Sequence, residues 1–242
     1  MLADSEPSWL RAPALAVVLA LTFAAPRTAG AQQPDRQSIG TFSIDRTEVT
    51  IRAFADFANA TVLVTEAERA GGGFEWAGGW TRRPGWTFRT PNGAPPARDD
   101  EPAVHVTWAE AAAYCAWVGG HLPSAAEWRQ VAYTEMRPSP PPPFEAGRTY
   151  LYPTGNEPTG MNLRGSGPGR HLPVGQTRAG VNGLYDMGGN VWEWASDASG
   201  SDRLTMGGSW WYGPAQTQAD GAQWKPAAFY AVYIGLRCAH PS

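Results

Sequence analysis

The chain has 242 residues, 43% of them hydrophobic and 17% charged, with a formal net charge of −3 at pH 7. A length of this order accommodates one domain with a sizeable core, and the lack of a basic excess excludes the electrostatic footprint of a nucleic-acid or anionic-membrane binder. The 28 Gly, 22 Pro and 12 Trp point to many irregular loops pinned by large aromatics rather than to long helices.

Residues 1–31 read as a secretion signal. Arg11 precedes an apolar run from Ala12 to Ala25, and Ala29-Gly30-Ala31 has the small residues of a cleavage site. The run is shorter than the roughly 20 apolar residues that a spanning helix needs. Cleavage before Gln32 leaves residues 32–242 as the folded domain, with no membrane span, in a periplasm or outside the cell.

Phe42 and Ile44 alternate with polar neighbours before Glu48-Val49-Thr50, which predicts a short strand followed by a helix capped by Thr50. Ile51, Phe54 and Phe57 share the core face of that helix. Asn59-Ala60-Thr61 has the pattern of a glycosylation acceptor. From Val62 to Asp100 the chain is rich in Gly, Trp and Pro. Trp76, Trp80 and Trp86 fit either the lining of a groove or staples that fix a loop to the core, the commoner role. Thr107 with Glu110 forms a capping box that opens a helix through Val118, which Gly119-Gly120 ends. Ser124 with Glu127 repeats the box and predicts a second helix to about Tyr133. Pro138 and Pro140 to Pro143 favour an extended surface spacer.

Asn182 to Asp197 reads NGLYDMGGNVWEWASD and is expected to form a tight loop rather than a regular helix or strand. Gly183, Gly188 and Gly189 permit backbone angles that other residues avoid, so carbonyls can point inward beside the carboxylates of Asp186 and Glu193. A hard cation takes six to eight oxygens of both kinds. On composition, a calcium site and a hydrogen-bonded buried turn fit this stretch alike. Further on, Trp210, Trp211, Tyr212 and Trp224, with Gln216, Gln218 and Gln223, make an aromatic and amide surface in which Lys225 is the one base. Such a surface suits stacking on and hydrogen bonding to a neutral small molecule or peptide, and plain packing fits it equally. His105, His121, His171 and His240 are scattered without metal-ligand spacing. No Ser-His-Asp elbow, phosphate loop or CxxC motif is present.

NGLYDMGGNVWEW at Asn182 to Trp194 closely resembles the most characteristic motif of the formylglycine-generating enzyme family, also called the sulfatase-modifying factor family. Other segments are similar to further family motifs in the same order. They are FSIDRTEVT (Phe42 to Thr50), VTWAEAAAYCAWVGGHLPSAAEW (Val106 to Trp128), PVG (Pro173 to Gly175), GGSW (Gly207 to Trp210) and GLRCA (Gly235 to Ala239). Together they cover nearly all of residues 32–242. The resemblance implies an α+β, C-type-lectin-like fold with little regular secondary structure and many loops. It implies one structural calcium, held by the side chains of Asp186 and Glu193 and the carbonyls of Gly189 and Val191. It also implies a disulfide between Cys115 and Cys238.

The chain departs from the family pattern at several places. Tyr152 to Pro158 and Met161-Asn162-Leu163 resemble the start of a second calcium site, but residues 165–171 hold no carboxylate, so that site is not carried over. His121 and Ala125 replace the usual basic and acidic residues, so an ion pair is expected to be lost. The catalytic cysteine pair that holds Cu(I) in the enzymes is missing, with Tyr212 and Thr217 about where it would stand, and copper is not expected. The implied function is an exported family member that binds a ligand on the surface after GGSW. The alternatives are an enzyme that tailors a periplasmic metabolite or protein, or a formylglycine-generating oxidase.

Overall fold

A computed structural model of the chain describes residues 35–96 and 98–242; the expected secretion signal lies outside them. The first elements are β1 (Arg36–Ile39) and β2 (Phe42–Asp45), joined by a tight turn at Gly40. Helix α1 (Ile51–Thr61) follows, opened by Thr50, whose hydroxyl accepts from Ala53 N. Three further helices start at capping boxes: α2 (Glu66–Arg69) at Thr65 and Glu68, α3 (Trp108–Trp117) at Thr107 and Glu110, and α4 (Ala125–Tyr133) at Ser124 and Glu127. Each box satisfies two backbone N–H groups that a helix start leaves open. The box at Thr65 was as readable as the other two. The Asn59 sequon falls inside α1, where Asn59 Oδ1 accepts from Arg89 Nη2 at 3.0 Å.

Between α2 and α3 lies an antiparallel hairpin, β3 (Gly72–Trp76) with β4 (Trp80–Pro84), which turns through Gly78-Gly79. The expectation of an unstructured loop there is corrected: two glycines at a turn between aromatic runs are a hairpin signal. A four-stranded sheet carries the rest of the frame, in the order β7 (Gln223–Pro226), β6 (Asp202–Met206), β5 (Trp192–Ser199), β8 (Ile234–Gly235). The β5–β8 pair is parallel and the others are antiparallel. Strand β9 (Ala239–Pro241) returns to β2 and completes a three-stranded sheet with β1. The second half of the Asn182 to Asp197 stretch is therefore strand, not loop.

Strand β5 divides two cores because successive side chains leave opposite faces. Trp192 and Trp194 point into a cluster with Phe54, Phe57, Tyr114 and Tyr233, between α1 and α3. Ala195 and the paired strand's Leu204 and Met206 face Ile44, Trp128 and Leu184, beside α4. Trp128, Trp192 and Trp194 are fully buried, so truncating any one to Ala should destabilise by about 3–5 kcal/mol. A disulfide between Cys115 on α3 and Cys238 just before β9 lies within the core that Trp192 and Trp194 enter and ties α3 to the C-terminal segment there.

His121 has a carboxylate partner after all: its Nε2 lies 3.2 Å from Glu127 Oε1 on α4. The proline segment lies mostly exposed and is anchored by the buried Phe144, which packs on Tyr150. Among the described residues, no helix is long and apolar enough to cross a membrane.

Candidate functional site

Two neighbouring arrangements carry the residues singled out in the sequence. The first is the Asn182 to Asp197 segment. Asn182, Asp186 and Asn190 all adopt left-handed backbone conformations, which Asn and Asp tolerate better than other residues with a Cβ. Their side chains then act as local connectors. Asn182 Nδ2 donates to the carbonyls of Val131 and Thr134 and so finishes α4. Asp186 accepts from Gly175 N and from the Thr177 hydroxyl, each at 2.6 Å. Asn190 Nδ2 donates to Glu48 Oε2, while its Oδ1 accepts from Leu172 N and Asn162 Nδ2.

Glu193 faces the α4 core, where Arg237 Nε and Nη2 donate to its two oxygens at 2.7 Å each. Trp128 Nε1 adds a third bond at 2.7 Å to the oxygen that Nε already holds. Arg237 continues to the carbonyls of Asp45 and Tyr185, which ties β2 and the loop to the arginine that precedes Cys238. Burial pushes the Glu48 carboxyl well above its ordinary range, with further upward push from Asp186 and Glu193. Asp186 is raised by the same cause, against the downward pull of Thr177 and Gly175. On Arg237, burial opposes the charge, yet Glu193 more than offsets it and the guanidinium is held above its usual value.

These placements do not fit a calcium ion held by the side chains of Asp186 and Glu193. Both Glu193 oxygens face a guanidinium that already neutralises the carboxylate, and both Asp186 oxygens accept from neighbouring loop groups. Among the described residues, no three His, Cys, Asp or Glu side chains gather closely enough to hold a metal. The carbonyls of Gly189 and Val191 would be left without a carboxylate partner. The partner that the structure gives Glu193 is a guanidinium 44 residues away in the chain.

The second arrangement is a row of aromatic rings. Trp76 and Trp80 on the hairpin meet edge to face at 5.3 Å between centroids, and both are exposed, at 42% and 45%. Trp80 continues to Phe229 at 4.6 Å and to Tyr233 at 5.9 Å. Tyr233 is the junction. From it the row runs to Trp210 and Trp211 on one branch and to Tyr212 and Trp192 on the other, with centroid spacings of 5.3–6.3 Å. Gly207 and Gly208, both at positive φ, turn the chain so that Gly207 O accepts from Gly189 N and Trp210 N donates to Asn190 O. The carboxylate-rich segment is thus the base on which the aromatic turn stands.

At the inner end of the row the Lys225 ammonium lies 4.7 Å over the Trp192 ring and donates to Gln223 Oε1 at 2.8 Å. Burial lowers its pKa to about 8. Burial also raises the phenols of Tyr212 and Tyr233.

Of the expected ligand surface, Trp210, Trp211 and Tyr212 belong to this row, and the partly buried Gln216 lies on the short 3-10 turn that follows it. Trp224 does not join them. It sits one residue from Lys225 on β7, so it leaves the opposite face of the sheet, and its ring meets no other in the row. Tyr212 packs between Trp192 and Tyr233, and the buried Thr217 hydroxyl donates to Pro214 O, so neither position offers a thiolate substitute. Sequence reasoning missed Glu48 and Arg237 as partners of the loop. It registered Lys225 as a base without foreseeing its burial.

The fold defines a class, α+β and C-type-lectin-like. The solved structure of PvdO from Pseudomonas aeruginosa superposes with a TM-score of 0.60 at 20% identity, covering 83% of this chain and 80% of that one. The chain belongs to the sulfatase-modifying factor (formylglycine-generating enzyme) family: residues 6–241 match the family model described as Sulfatase-modifying factor enzyme 1-like domain. The formylglycine-generating enzyme of Streptomyces coelicolor is 33% identical over 189 residues, which cover 64% of this chain and 57% of the relative. The mouse protein named inactive C-alpha-formylglycine-generating enzyme 2 is 29% identical over 230 residues, covering 81% of this chain and 72% of that protein. Against the first of these relatives, the match spans 57% of the relative's length.

Proposed function

We propose that this chain is an exported member of the family that binds a small-molecule or peptide ligand on the aromatic surface after GGSW, without copper-thiolate chemistry. The observation that carries this reading is the continuity of the ring row from the exposed Trp76 and Trp80 to the half-buried Trp210, Trp211 and Tyr212. A row used only for packing would be covered along its length. Here its outer members face solvent, where flat rings offer large contact area at little conformational cost.

An enzymatic reading, in which the same surface presents a metabolite or protein for modification, is supported by the activity in the names of relatives such as the formylglycine-generating enzyme of Streptomyces coelicolor. Turnover separates the two readings.

The test is equilibrium dialysis of the full-length chain against a defined library of small molecules and short peptides, repeated with Trp210→Ala and Trp80→Ala. Compounds retained by the wild type and released by these variants support the proposal. Retention that ignores both substitutions, or no retention at all, refutes it.

A further inference from the structure

The inner end of the aromatic row is rich in hydrogen-bond donors and holds no carboxylate. Lys225 is 9% exposed and enters no salt bridge among the described residues. It meets only the face of Trp192 and the amide oxygen of the half-exposed Gln223, which leaves part of its ammonium without an acceptor. The buried indole N–H of Trp210 likewise completes no hydrogen bond with the chain, while that of Trp192 is turned toward the Tyr212 phenol. Both indoles reach this end through Tyr212 and Tyr233, whose phenols add two more hydroxyl groups.

Elsewhere among the described residues, buried or half-buried guanidinium groups face a carboxylate. Arg237 has Glu193 and Arg137 has Glu135. A buried cation without an anion is unfavourable, and the same polypeptide avoids it at each of those positions. The exception lies beside the partly exposed rings. Its other charged neighbour is Arg203, opposite Lys225 across the β6–β7 pair. The Arg203 guanidinium stacks over Trp108 and donates to the carbonyls of Gly200 and Asp202, so it is already engaged. One free cation with several neutral donors matches a singly charged, planar acceptor better than a phosphate, which would call for more positive charge.

We infer that Lys225 anchors the carboxylate of a carboxylate-bearing ligand whose apolar body lies along the aromatic row, with the Trp210 indole and the Tyr212 phenol as its neighbouring donors. This rests on the proposed ligand surface and makes its ligand anionic, where the sequence suggested a neutral one. The same carboxylate chemistry is carried by an aromatic organic acid and by the C-terminus of a peptide, and the test separates these sources.

Calorimetric titration of the full-length chain uses phenylacetate against phenylacetamide, and a short peptide ending in Phe with a free against an amidated C-terminus. The expected result is a preference of at least about tenfold for the acid of one pair, or about 1.4 kcal/mol. The pair that shows it identifies the source. That preference should vanish in Lys225→Met and should fall as pH rises through about 8, where Lys225 loses its proton. Nitrogen-proton NMR of the indoles should report the bound acid through the Trp210 signal, and a melting curve confirms that Lys225→Met is folded. Equal binding of acid and amide, lost in Trp210→Ala, would overturn the carboxylate anchor and leave the aromatic surface standing. Absence of binding by all four probes would overturn both.

Discussion

Arg237 and Glu193 meet through two parallel hydrogen bonds of 2.7 Å, with both side chains removed from solvent. The pair joins the strand at the centre of the larger sheet to the chain segment beside the disulfide. Removing one partner strands the other charge in the core, so Arg237→Met should destabilise by about 3–5 kcal/mol. Arg237→Lys should restore little, because an ammonium cannot supply the two-pronged contact. Urea denaturation of the two variants checks this; a loss under about 1 kcal/mol in Arg237→Met would show the pair to be dispensable.

The same geometry sets an expectation for calcium. A ligand that binds only the folded state at a hundredfold excess over its dissociation constant stabilises by roughly 2.7 kcal/mol. With Asp186 and Glu193 engaged by Thr177, Gly175, Trp128 and Arg237, melting curves in EDTA and in millimolar calcium should coincide. A rise with calcium that Glu193→Gln abolishes would restore the side-chain site.

Two buried groups tilt stability in opposite directions with pH. Burial lowers the His105 pKa to about 4, while its Nε2 donates to Pro91 O at 3.0 Å and its Nδ1 has no partner. Its folded value is below its unfolded one, so its contribution is present above the ordinary histidine range. That contribution is lost as pH falls from about 6.5 toward 4, roughly 3 kcal/mol in all. Glu48 has the opposite sign. Its folded pKa is raised, so the folded state binds the extra proton, and stability declines as pH climbs above the ordinary carboxylate range toward the folded value. Chemical denaturation across pH should therefore lose its acid limb in His105→Phe and flatten above the carboxylate range in Glu48→Gln. Unchanged profiles in both variants would contradict the assignment.

The chain-entropy model assigns roughly 4 to 5 kcal/mol to a disulfide closing a loop as long as the one between Cys115 and Cys238, which are 123 residues apart. Purified, exported protein should give no reaction with a thiol reagent under denaturing, non-reducing conditions. Labelling of two thiols would show the bridge open. Reduction should lower the denaturation midpoint, and Cys115→Ala should reproduce that loss.

What the sequence made legible is mostly local. Thr107 with Glu110 and Ser124 with Glu127 announce their helices because a capping box needs only residues three apart. Strand β5 was hidden because both of its faces are buried: Trp192 and Trp194 enter one core while Glu193 enters the other. Glu193 reads as a polar loop residue until Arg237, 44 residues away, neutralises it. The calcium expectation arises at the same point, since composition cannot tell a metal from a guanidinium as the partner of a carboxylate. Lys225 was visible as a lone base, but its lack of a salt bridge among the described residues is a property of the β6–β7 pairing and the Trp192 ring beneath it.

The protein should not convert a sulfatase-type cysteine to formylglycine, although it belongs to the family whose enzymes do. In the enzymes it resembles, the chemistry depends on two thiolates after the GGS-aromatic turn, soft ligands suited to Cu(I). Here Tyr212 and Thr217 stand in that region. The Tyr212 phenol is pushed above its ordinary pKa by burial and packs against Trp192 and Tyr233, while the Thr217 hydroxyl is turned onto Pro214 O. Both are hard oxygen donors that stay protonated at neutral pH, and the chain's two cysteines are joined to each other in a disulfide. Incubation of the protein with copper, a reductant and a peptide bearing Cys-x-Pro-x-Arg should leave the peptide mass unchanged. Installing cysteines at positions 212 and 217 tests whether the thiolates are all that is lacking. Robust thiol-to-aldehyde conversion by the unaltered chain would overturn the binding reading and establish an oxidase that works without that cysteine pair.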